Sequence, residues 1–245
     1  MRRVGVAALC AALGGCVSTE TVQFRAANSQ QQALIRDGQA ALVSRQKFSL
    51  VLVRPGSRQL QSGGRPIFVV NMNNLGRTPV DFRVGEVVVN QVVGENEFPM
   101  TVVTYDMLVR EEKSRQVAAA IVTGLAAGAN AYNASRVGYG TYTTPSGRSG
   151  TFYSPTANVI AQGNAAAQND AMIAGTIEQG QRNMAQLEQT VIKDNTLMPG
   201  EWYGGALYLS PPTTPPSGNQ KNYTIVISVG ADRHVIQISQ APTGA

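Results

Sequence analysis

The side chains that could carry out catalysis in this chain are few and far apart. His234 is the only histidine among 245 residues, and it shares a predicted strand face with Ile236 and Ile238. A single candidate base outside any catalytic motif gives little support to nucleophilic catalysis, and we expect a partly buried structural role for it. Metal sites normally show clustered histidine, cysteine or carboxylate ligands, and the sequence has no such cluster. We therefore predict no catalytic residue, no metal site and no cofactor.

Carboxylates provide the enzymatic alternative. Hydrolysis of a glycosidic bond needs two carboxyl groups that converge in a cleft, about 5–10 Å apart. The candidates are Asp81, Glu95, Glu97 and Asp106. Glu95 and Glu97 lie two residues apart in a predicted turn, where solvation of surface charges explains them better. The relative positions of these four side chains decide whether a hydrolase remains a candidate.

A cysteine near the start of the chain suggests a different chemistry. Cys16 follows an apolar run from Val4 to Leu13, which itself follows Arg2 and Arg3. A basic start, a short apolar run and small residues before a cleavage site are typical of a secretory signal. The run is shorter than the roughly 20 apolar residues that a membrane-spanning helix needs.

The four residues Leu13-Gly14-Gly15-Cys16 resemble the lipobox of bacterial lipoprotein precursors. The resemblance implies that residues 1–15 are removed and that Cys16 receives lipid on its sulfur and on its new amino group, which anchors it in the bilayer. Val17 and Ser18 stand where an aspartate would favour retention in the inner membrane. The resemblance therefore implies export to the outer membrane, where we expect the periplasmic face. The alternative is an ordinary signal peptide cut elsewhere, with Cys16 incidental.

Removal of the signal would restrict the chemistry of the mature chain. Cys10 would be lost and the thiol of Cys16 consumed, which excludes disulfides, cysteine nucleophiles and cysteine-bound zinc. Loss of Arg2 and Arg3 lowers the formal net charge from +5 to +3. Such a mild excess, in an exported protein, argues against a nucleic-acid partner.

Strand patterns lie on both sides of a long interruption. In residues 47–111 and 195–241, apolar and polar side chains alternate and turns recur about every ten residues, which is typical of a sandwich or barrel. We predict a mainly β chain with an α insertion, namely an immunoglobulin-like antiparallel β-sandwich interrupted by a helical hairpin. Residues 16–46 are expected to form the lipidated cysteine and a tether, with a possible short helix from Asn28 through Ile35.

The interruption, residues 112–194, carries two helical patterns. Apolar stripes run through Val117, Ile121, Leu125, Gly128 and Tyr132, and through Ile173, Ile177, Gly180, Met184, Leu187 and Val191. The row Ala120, Gly124 and Gly128 is small enough to let another helix approach closely, and we expect it to pack against the second helix. Insertion of the first helix into a membrane is the alternative, although Val117 to Ala131 is short for a span.

A Gly- and Tyr-rich tip, residues 135–155, joins the two helices. A loop of this length is usually either functional or disordered. Its exposed aromatic residues and one arginine are candidate partner-binding residues: Tyr139, Tyr142, Arg148, Phe152 and Tyr153. No acidic residue lies between Glu112 and Asp170, so the segment could contact anionic lipid or polysaccharide. Elsewhere, Trp202 could be a platform for sugars or a buried core residue.

These patterns favour a non-catalytic envelope lipoprotein that is a structural, assembly or binding factor. In this hypothesis the lipid on Cys16 holds the sandwich at the bilayer, and the hairpin presents its tip to an unknown envelope protein or glycan. One alternative is an envelope glycan or peptidoglycan hydrolase that uses the carboxylates described above. The other is a homo-oligomeric ring or pore assembled through the small-residue row of the first helix.

Overall fold

The architecture is that of a computed structural model, which describes residues 19–36, 38–93, 95–213 and 220–242. In chain order the strands are β1 (Thr19–Arg25), β2 (Gln31–Arg36), β3 (Gln39–Arg45), β4 (Ser49–Pro55), β5 (Leu60–Gln61), β6 (Ile67–Asn74), β7 (Val80–Phe82), β8 (Val88–Val93), β9 (Asn96–Met100), β10 (Val102–Val103), β11 (Tyr139–Thr143), β12 (Ser149–Tyr153), β13 (Asn195–Leu197), β14 (Trp202–Leu209), β15 (Lys221–Val229) and β16 (Asp232–Pro242). The helices are α1 (Tyr105–Arg136) and α2 (Pro155–Thr190), and a short 3₁₀ helix covers Val84–Glu86. Cys16 and the rest of the predicted signal lie outside the described residues.

Two six-stranded antiparallel sheets make up most of the β structure. The first has the order β5-β1-β16-β15-β8-β9, and the second has the order β10-β14-β6-β4-β3-β2. The centre of the first sheet is the hairpin of β15 and β16, which pairs from Lys221 opposite Gln240 to Val229 opposite Asp232. Its turn contains Gly230 at a φ of 58°, a conformation that glycine adopts at little cost.

Alternating side chains from both sheets fill one shared core. Val51 and Val53 of β4 and Ile225 and Ile227 of β15 are fully buried, and all four belong to the same apolar cluster. Burial of each such side chain contributes about 1.5–3 kcal/mol. The chain is therefore mainly β, with several antiparallel sheets and two long helices, as the alternation predicted, and the two large sheets form a sandwich-like arrangement.

The chain divides into two compact units. One contains residues 1–105 and 190–245, and the other contains residues 106–189. The first unit holds both large sheets and the small sheet of β7 and β13, whereas the second holds most of α1, the hairpin of β11 and β12, and α2 up to Gln189. The sheet-forming segments on either side of the insertion thus belong to one unit.

The region before residue 47 differs from its prediction. The expected helix from Asn28 through Ile35 is wrong, because residues from Thr19 onward form β1, β2 and β3 rather than a tether. The side chain of Asn28 accepts the backbone N–H of Gln30 over 3.0 Å, which turns the chain instead of starting a helix. Gln31 then donates its side-chain amide to the carbonyl of Val235 over 2.7 Å, and this bond ties β2 to the other sheet.

The first helix begins seven residues before residue 112, where the interruption was predicted to start. Strand β10 covers only Val102 and Val103, and α1 starts at Tyr105. Glu112 therefore lies two turns inside the helix, where its side chain is buried, and not at the helix N-terminus. Asp106 is the acidic residue in the first turn, where a negative charge complements the helix dipole.

Candidate functional site

The two helices of the hairpin face each other through polar side chains. Thr123 Oγ1 lies 3.0 Å from Thr176 Oγ1, and Asn130 Nδ2 donates to Asn169 Oδ1 over 3.1 Å. In each helix the two positions are seven residues apart, so they lie on the same side of it. We call this line of contacts the polar seam.

Glu112 forms the other end of the polar seam. Its Oε1 accepts hydrogen bonds from Asn183 Nδ2 over 2.9 Å and from Gln116 Nε2 over 3.3 Å. Gln116 Nε2 also donates to the carbonyl oxygen of Gly180 over 3.1 Å. A Cβ on Gly180 would lie 2.9 Å from Gln116 Cδ, so a larger residue here would displace the Gln116 side chain from its hydrogen bonds.

Apolar side chains of the hairpin point to solvent instead. Those in the two helices that are more than 40% exposed are Val117, Ile121, Val122, Leu125 and Tyr132 of α1, and Val159, Ile160, Ile173 and Ile177 of α2. Their exposed fractions run from 44% for Ile173 to 72% for Leu125. Contiguous apolar patches beyond a few hundred Å² are uncommon on monomeric proteins and often mark interaction surfaces. The polar seam thus lies between the helices, while these nine large apolar side chains lie outside.

The prediction that the small-residue row of α1 packs against α2 is wrong. Ala120, Gly124 and Gly128 are exposed, and a Cβ on either glycine would meet nothing within 4 Å. The physical reason is rotational register: the helices are turned so that Thr123 and Asn130 face inward, which places the small row outside. The seven-residue repeat of polar residues was the sequence signal for this register, and the apolar stripes concealed it.

The tip of the hairpin, which the sequence left open as either a functional or a disordered loop, forms a β-hairpin. Strands β11 and β12 pair Gly140 with Phe152 and Tyr142 with Gly150. Each aromatic ring lies over the glycine opposite, because a Cβ on Gly140 would fall 2.5 Å from Phe152 and one on Gly150 would fall 2.7 Å from Tyr142. The alternation of glycine and aromatic residues is therefore a cross-strand packing pattern.

All five predicted partner-binding residues are exposed at this tip. The exposed fractions are 71% for Tyr139, 53% for Tyr142, 53% for Phe152 and 47% for Tyr153, and Arg148 is exposed as well. The rings of Tyr139 and Tyr153 lie across the strands from each other, with centroids 4.7 Å apart. Four aromatic side chains and one cation are thus presented on a paired backbone.

Asn158 fixes the tip to the helices. Its Nδ2 donates to the carbonyl oxygens of Ala134, Ser135 and Val137 at 3.3, 3.1 and 2.8 Å. These carbonyls lie at and just after the end of α1, where the last turn of a helix leaves carbonyls without intrahelical partners; that of Ala134 also accepts the backbone N–H of Val137 over 3.1 Å. Only 6% of Asn158 is exposed. Neither the type of Asn158 nor its spacing from other residues predicts this role.

His234 is completely buried, not partly as expected, and it belongs to a hydrogen-bond network. Its Nε2 lies 2.8 Å from Ser49 Oγ and its Nδ1 lies 3.0 Å from Ser44 Oγ. Ser49 Oγ also donates to Asp232 Oδ2 over 2.7 Å. Burial lowers the pKa of His234 to about 4, although the charge of Asp232 acts in the opposite direction. The network joins β3 and β4 of one sheet to β16 of the other.

The four candidate carboxylates are all exposed. Glu95 and Glu97 belong to the hairpin of β8 and β9, where Glu97 accepts a hydrogen bond from Asn90. Asp81 is on β7, in a different sheet, and accepts the hydroxyl of Thr196 over 2.7 Å. Asp106 belongs to the other unit.

A shallow depression of about 450 Å³ adds one carboxylate that the sequence had not singled out, Asp194, close to Asp81. Asp194 Oδ1 accepts the backbone N–H of Val84 over 2.8 Å. It thereby connects the segment before β13 with the 3₁₀ helix. Both carboxylates in the depression thus hold neighbouring elements together through hydrogen bonds.

Comparison with known proteins gives no match: no family model, no curated protein and no solved structure is significantly similar to this chain. Among the described residues, no three histidine, cysteine or acidic side chains come together as a metal site would require. Within the same residues, neither helix combines the length and the hydropathy needed to cross a bilayer.

Proposed function

We propose that the protein is a non-catalytic lipoprotein of the bacterial envelope that binds a partner through its helical hairpin. The observation that carries this proposal is the outward display of apolar and aromatic side chains along the hairpin. A structural, assembly or binding factor needs exposed apolar and aromatic side chains to contact its partner, whereas a helix pair that is only solvated does not.

The polar seam is the first argument for this role. A helical hairpin that only had to be stable would place Ile121 and Leu125 between its helices, where their burial would be favourable. Hydrogen bonds such as that of Thr123 with Thr176 contribute only about 1 kcal/mol each. The arrangement gives up this stability and leaves the apolar groups available to another surface.

The charge distribution is the second argument. Residues 116–135 and 149–169 contain no charged side chain, so α1 carries 20 uncharged residues next to the tip and α2 carries 15. Arg136 and Arg148 are the cations there, and Arg136 lies over the ring of Tyr132 at 5.6 Å. Aromatic residues and arginine are enriched at the centres of protein interfaces, where charged residues are otherwise depleted.

The lipid on Cys16 is the second element of the proposal. It would fix the β unit at the outer membrane, on the periplasmic face, and we propose that this unit is an immunoglobulin-like sandwich. Labelling of cells with radioactive palmitate tests the anchor, and Cys16→Ser should abolish incorporation. Incorporation that persists in this variant would contradict the lipid site.

Photocrosslinking in cells tests the binding surface. A photoreactive amino acid at Tyr142, at the tip, should give a defined adduct of one size. The same group at Val88, an exposed residue of β8 in the other unit, is the matched control and should give none. Equal adducts from both positions, or none from either, would refute the hairpin as the binding surface.

Self-association is a second candidate, because Gly124 and Gly128 face open space on the outside of α1. Small residues in this spacing allow two helices to approach closely. A ring or pore built from copies of the chain would use this row. Light scattering of the detergent-solubilised protein distinguishes the two: a monomer argues for a foreign partner, and an oligomer that Gly124→Leu dissociates argues for the ring.

A further inference from the structure

We propose that an open cleft on the β unit binds an acidic oligosaccharide. The cleft has a volume of about 520 Å³ and lies on the outer face of the second sheet. Three arginines, Arg36, Arg54 and Arg58, line it together with Trp202, Asn71 and Gln39. None of these residues belongs to the hairpin, so this site is separate from the surface proposed above.

The arginines give the cleft its charge preference. None of its lining residues is acidic. Arg54 is positioned rather than free to swing, because its NH1 donates to Gln39 Oε1 over 3.1 Å and to the carbonyl of Pro55 over 3.4 Å. Its remaining N–H groups can donate in the planar fork that matches a carboxylate or a sulfate. The ligand should therefore carry anionic groups of this shape.

Trp202 supplies the second half of the recognition. The sequence left open a buried core position for this residue, but 60% of it is exposed. A flat exposed indole beside polar groups suits the C–H face of a sugar ring, and the amides of Asn71 and Gln39 can donate to and accept from its hydroxyls. Gly204 keeps the Asn71 amide accessible, since a Cβ there would lie 2.5 Å from Asn71 Oδ1.

A second depression on the same sheet indicates that the ligand is a chain of sugars. Leu50, Leu52 and Arg54 alternate with the buried residues of β4, so all three lie on its outer face. Leu52 and Arg54 line the cleft, and Leu50 lines the neighbouring depression of about 620 Å³, which also contains Arg45 and Lys47. Basic residues thus continue along the sheet beyond the cleft, as a polyanion would require.

A single-stranded nucleic acid also has rings and anionic groups, but the cleft fits it less well. Sites for single strands present several aromatic side chains on which successive bases stack. Trp202 is the one aromatic residue among those that line the cleft and the neighbouring depression. The amide groups around it match the hydroxyls of a sugar better than the face of a base.

Fluorescence of the full-length protein tests the proposal, because Trp202 is its only tryptophan. Tetragalacturonate, a carboxylated oligosaccharide, should change the emission of Trp202 in a saturable way, whereas neutral maltotetraose should not. Arg54→Gln should weaken binding about tenfold, since it removes a charge-assisted hydrogen bond. Arg25→Gln removes an exposed arginine from β1 in the other sheet, and this matched control should bind within twofold of the wild type.

Three results would overturn the proposal. The first is no saturable change with tetragalacturonate at millimolar concentration. The second is equal weakening by Arg54→Gln and Arg25→Gln, which would show that only net charge matters. The third is equally tight binding of oligothymidylate, which would assign the cleft to nucleic acid. Arg36→Gln, at an exposed guanidinium of the cleft, should also weaken binding, and it replaces Arg54→Gln if that variant loses the wild-type thermal unfolding profile.

Discussion

Replacement of Lys221 by methionine should strongly destabilise the β unit. Lys221 Nζ lies 2.8 Å from both carboxylate oxygens of Glu20, and the two side chains are 2% and 3% exposed. Methionine keeps most of the volume of lysine but removes the charge, so Glu20 would remain buried without a cation. Breaking a buried ion pair from one side typically costs about 3–5 kcal/mol.

The neighbours of Glu20 set the magnitude within this range. Ser62 Oγ donates to Glu20 Oε1 over 2.7 Å, and the side-chain amide of Gln240 donates to Oε2. Both would still donate in the variant, so we expect about 3 kcal/mol. Burial raises the pKa of Glu20, but the hydrogen bonds from Lys221, Ser62 and Gln240 outweigh it, and the net effect is a lowered pKa.

The sign of the pH dependence provides a second readout. In the wild type the lowered pKa of Glu20 stabilises the fold above the unfolded pKa of 4.5, and this contribution is lost as the pH falls through the folded pKa. In Lys221→Met, burial should dominate and raise the pKa of Glu20. Protonation would then relieve the unpaired charge, and the difference in stability between variant and wild type should shrink as the pH falls from 7 to 5.

Urea unfolding followed by Trp202 fluorescence measures these effects, because Trp202 lies in the same unit as the ion pair. The double variant Glu20→Gln with Lys221→Met is the control, and it should be closer to the wild type than the single variant is. A loss below about 1 kcal/mol in Lys221→Met, with the same pH dependence as the wild type, would refute the reasoning. So would a double variant less stable than Lys221→Met alone, since packing of the lysine stem would then explain the loss.

Three further predictions concern other parts of the chain. His234→Gln should flatten the loss of stability between pH 6.5 and 4. In the wild type this loss is worth about 3 kcal/mol, because the buried imidazole resists protonation and its folded pKa is about 4. Urea unfolding across that pH range measures the loss, and an unchanged slope would contradict the prediction. Asn158→Ala should remove the side-chain donor from the carbonyls of Ser135 and Val137, whereas that of Ala134 keeps the backbone N–H of Val137. Faster hydrogen exchange in β11 and β12 with unchanged exchange in β15 would confirm it. Gly204→Ala should lower the melting temperature, because the new Cβ would overlap the carbonyl of Val70. Gly124→Ala should raise the melting temperature, because this glycine lies within a helix and faces open space. A higher melting temperature for Gly204→Ala than for Gly124→Ala would contradict the packing described.

The sequence predicted the strands where alternation was strong and failed where polar residues dominated. In β15 the buried Tyr223, Ile225 and Ile227 recur at every second position, so the strand was evident. In β2 the residues at every second position are Gln31 and the exposed Ala33 and Ile35. This pattern does not distinguish a strand from a short helix. Burial of Gln31 depends on its hydrogen bond to the other sheet, which no local pattern encodes.

In the helical hairpin, too, the sequence predicted the local structure but not the contacts between distant residues. Helical spacing predicted two helices and an aromatic tip correctly, because both follow from residues close in sequence. Which side of α1 faces α2 depends on a choice between apolar packing and the pairing of Thr123 with Thr176 and of Asn130 with Asn169. That choice joins residues 39 to 53 positions apart, so the seven-residue spacing of the polar residues becomes informative only when the two helices are compared with each other.

The ion pair of Glu20 also has a mechanical consequence for a lipid-anchored protein. Glu20 is the second residue of β1, is buried, and lies four residues after Cys16. An extended chain advances about 3.5 Å per residue, so these four steps reach at most about 14 Å. If Cys16 bears the lipid, the start of β1 would be held within that distance of the backbone of Cys16. The β unit would then stay close to the lipid headgroups. Because so short a linker restricts its diffusion to a small volume, its partners would have to diffuse to it.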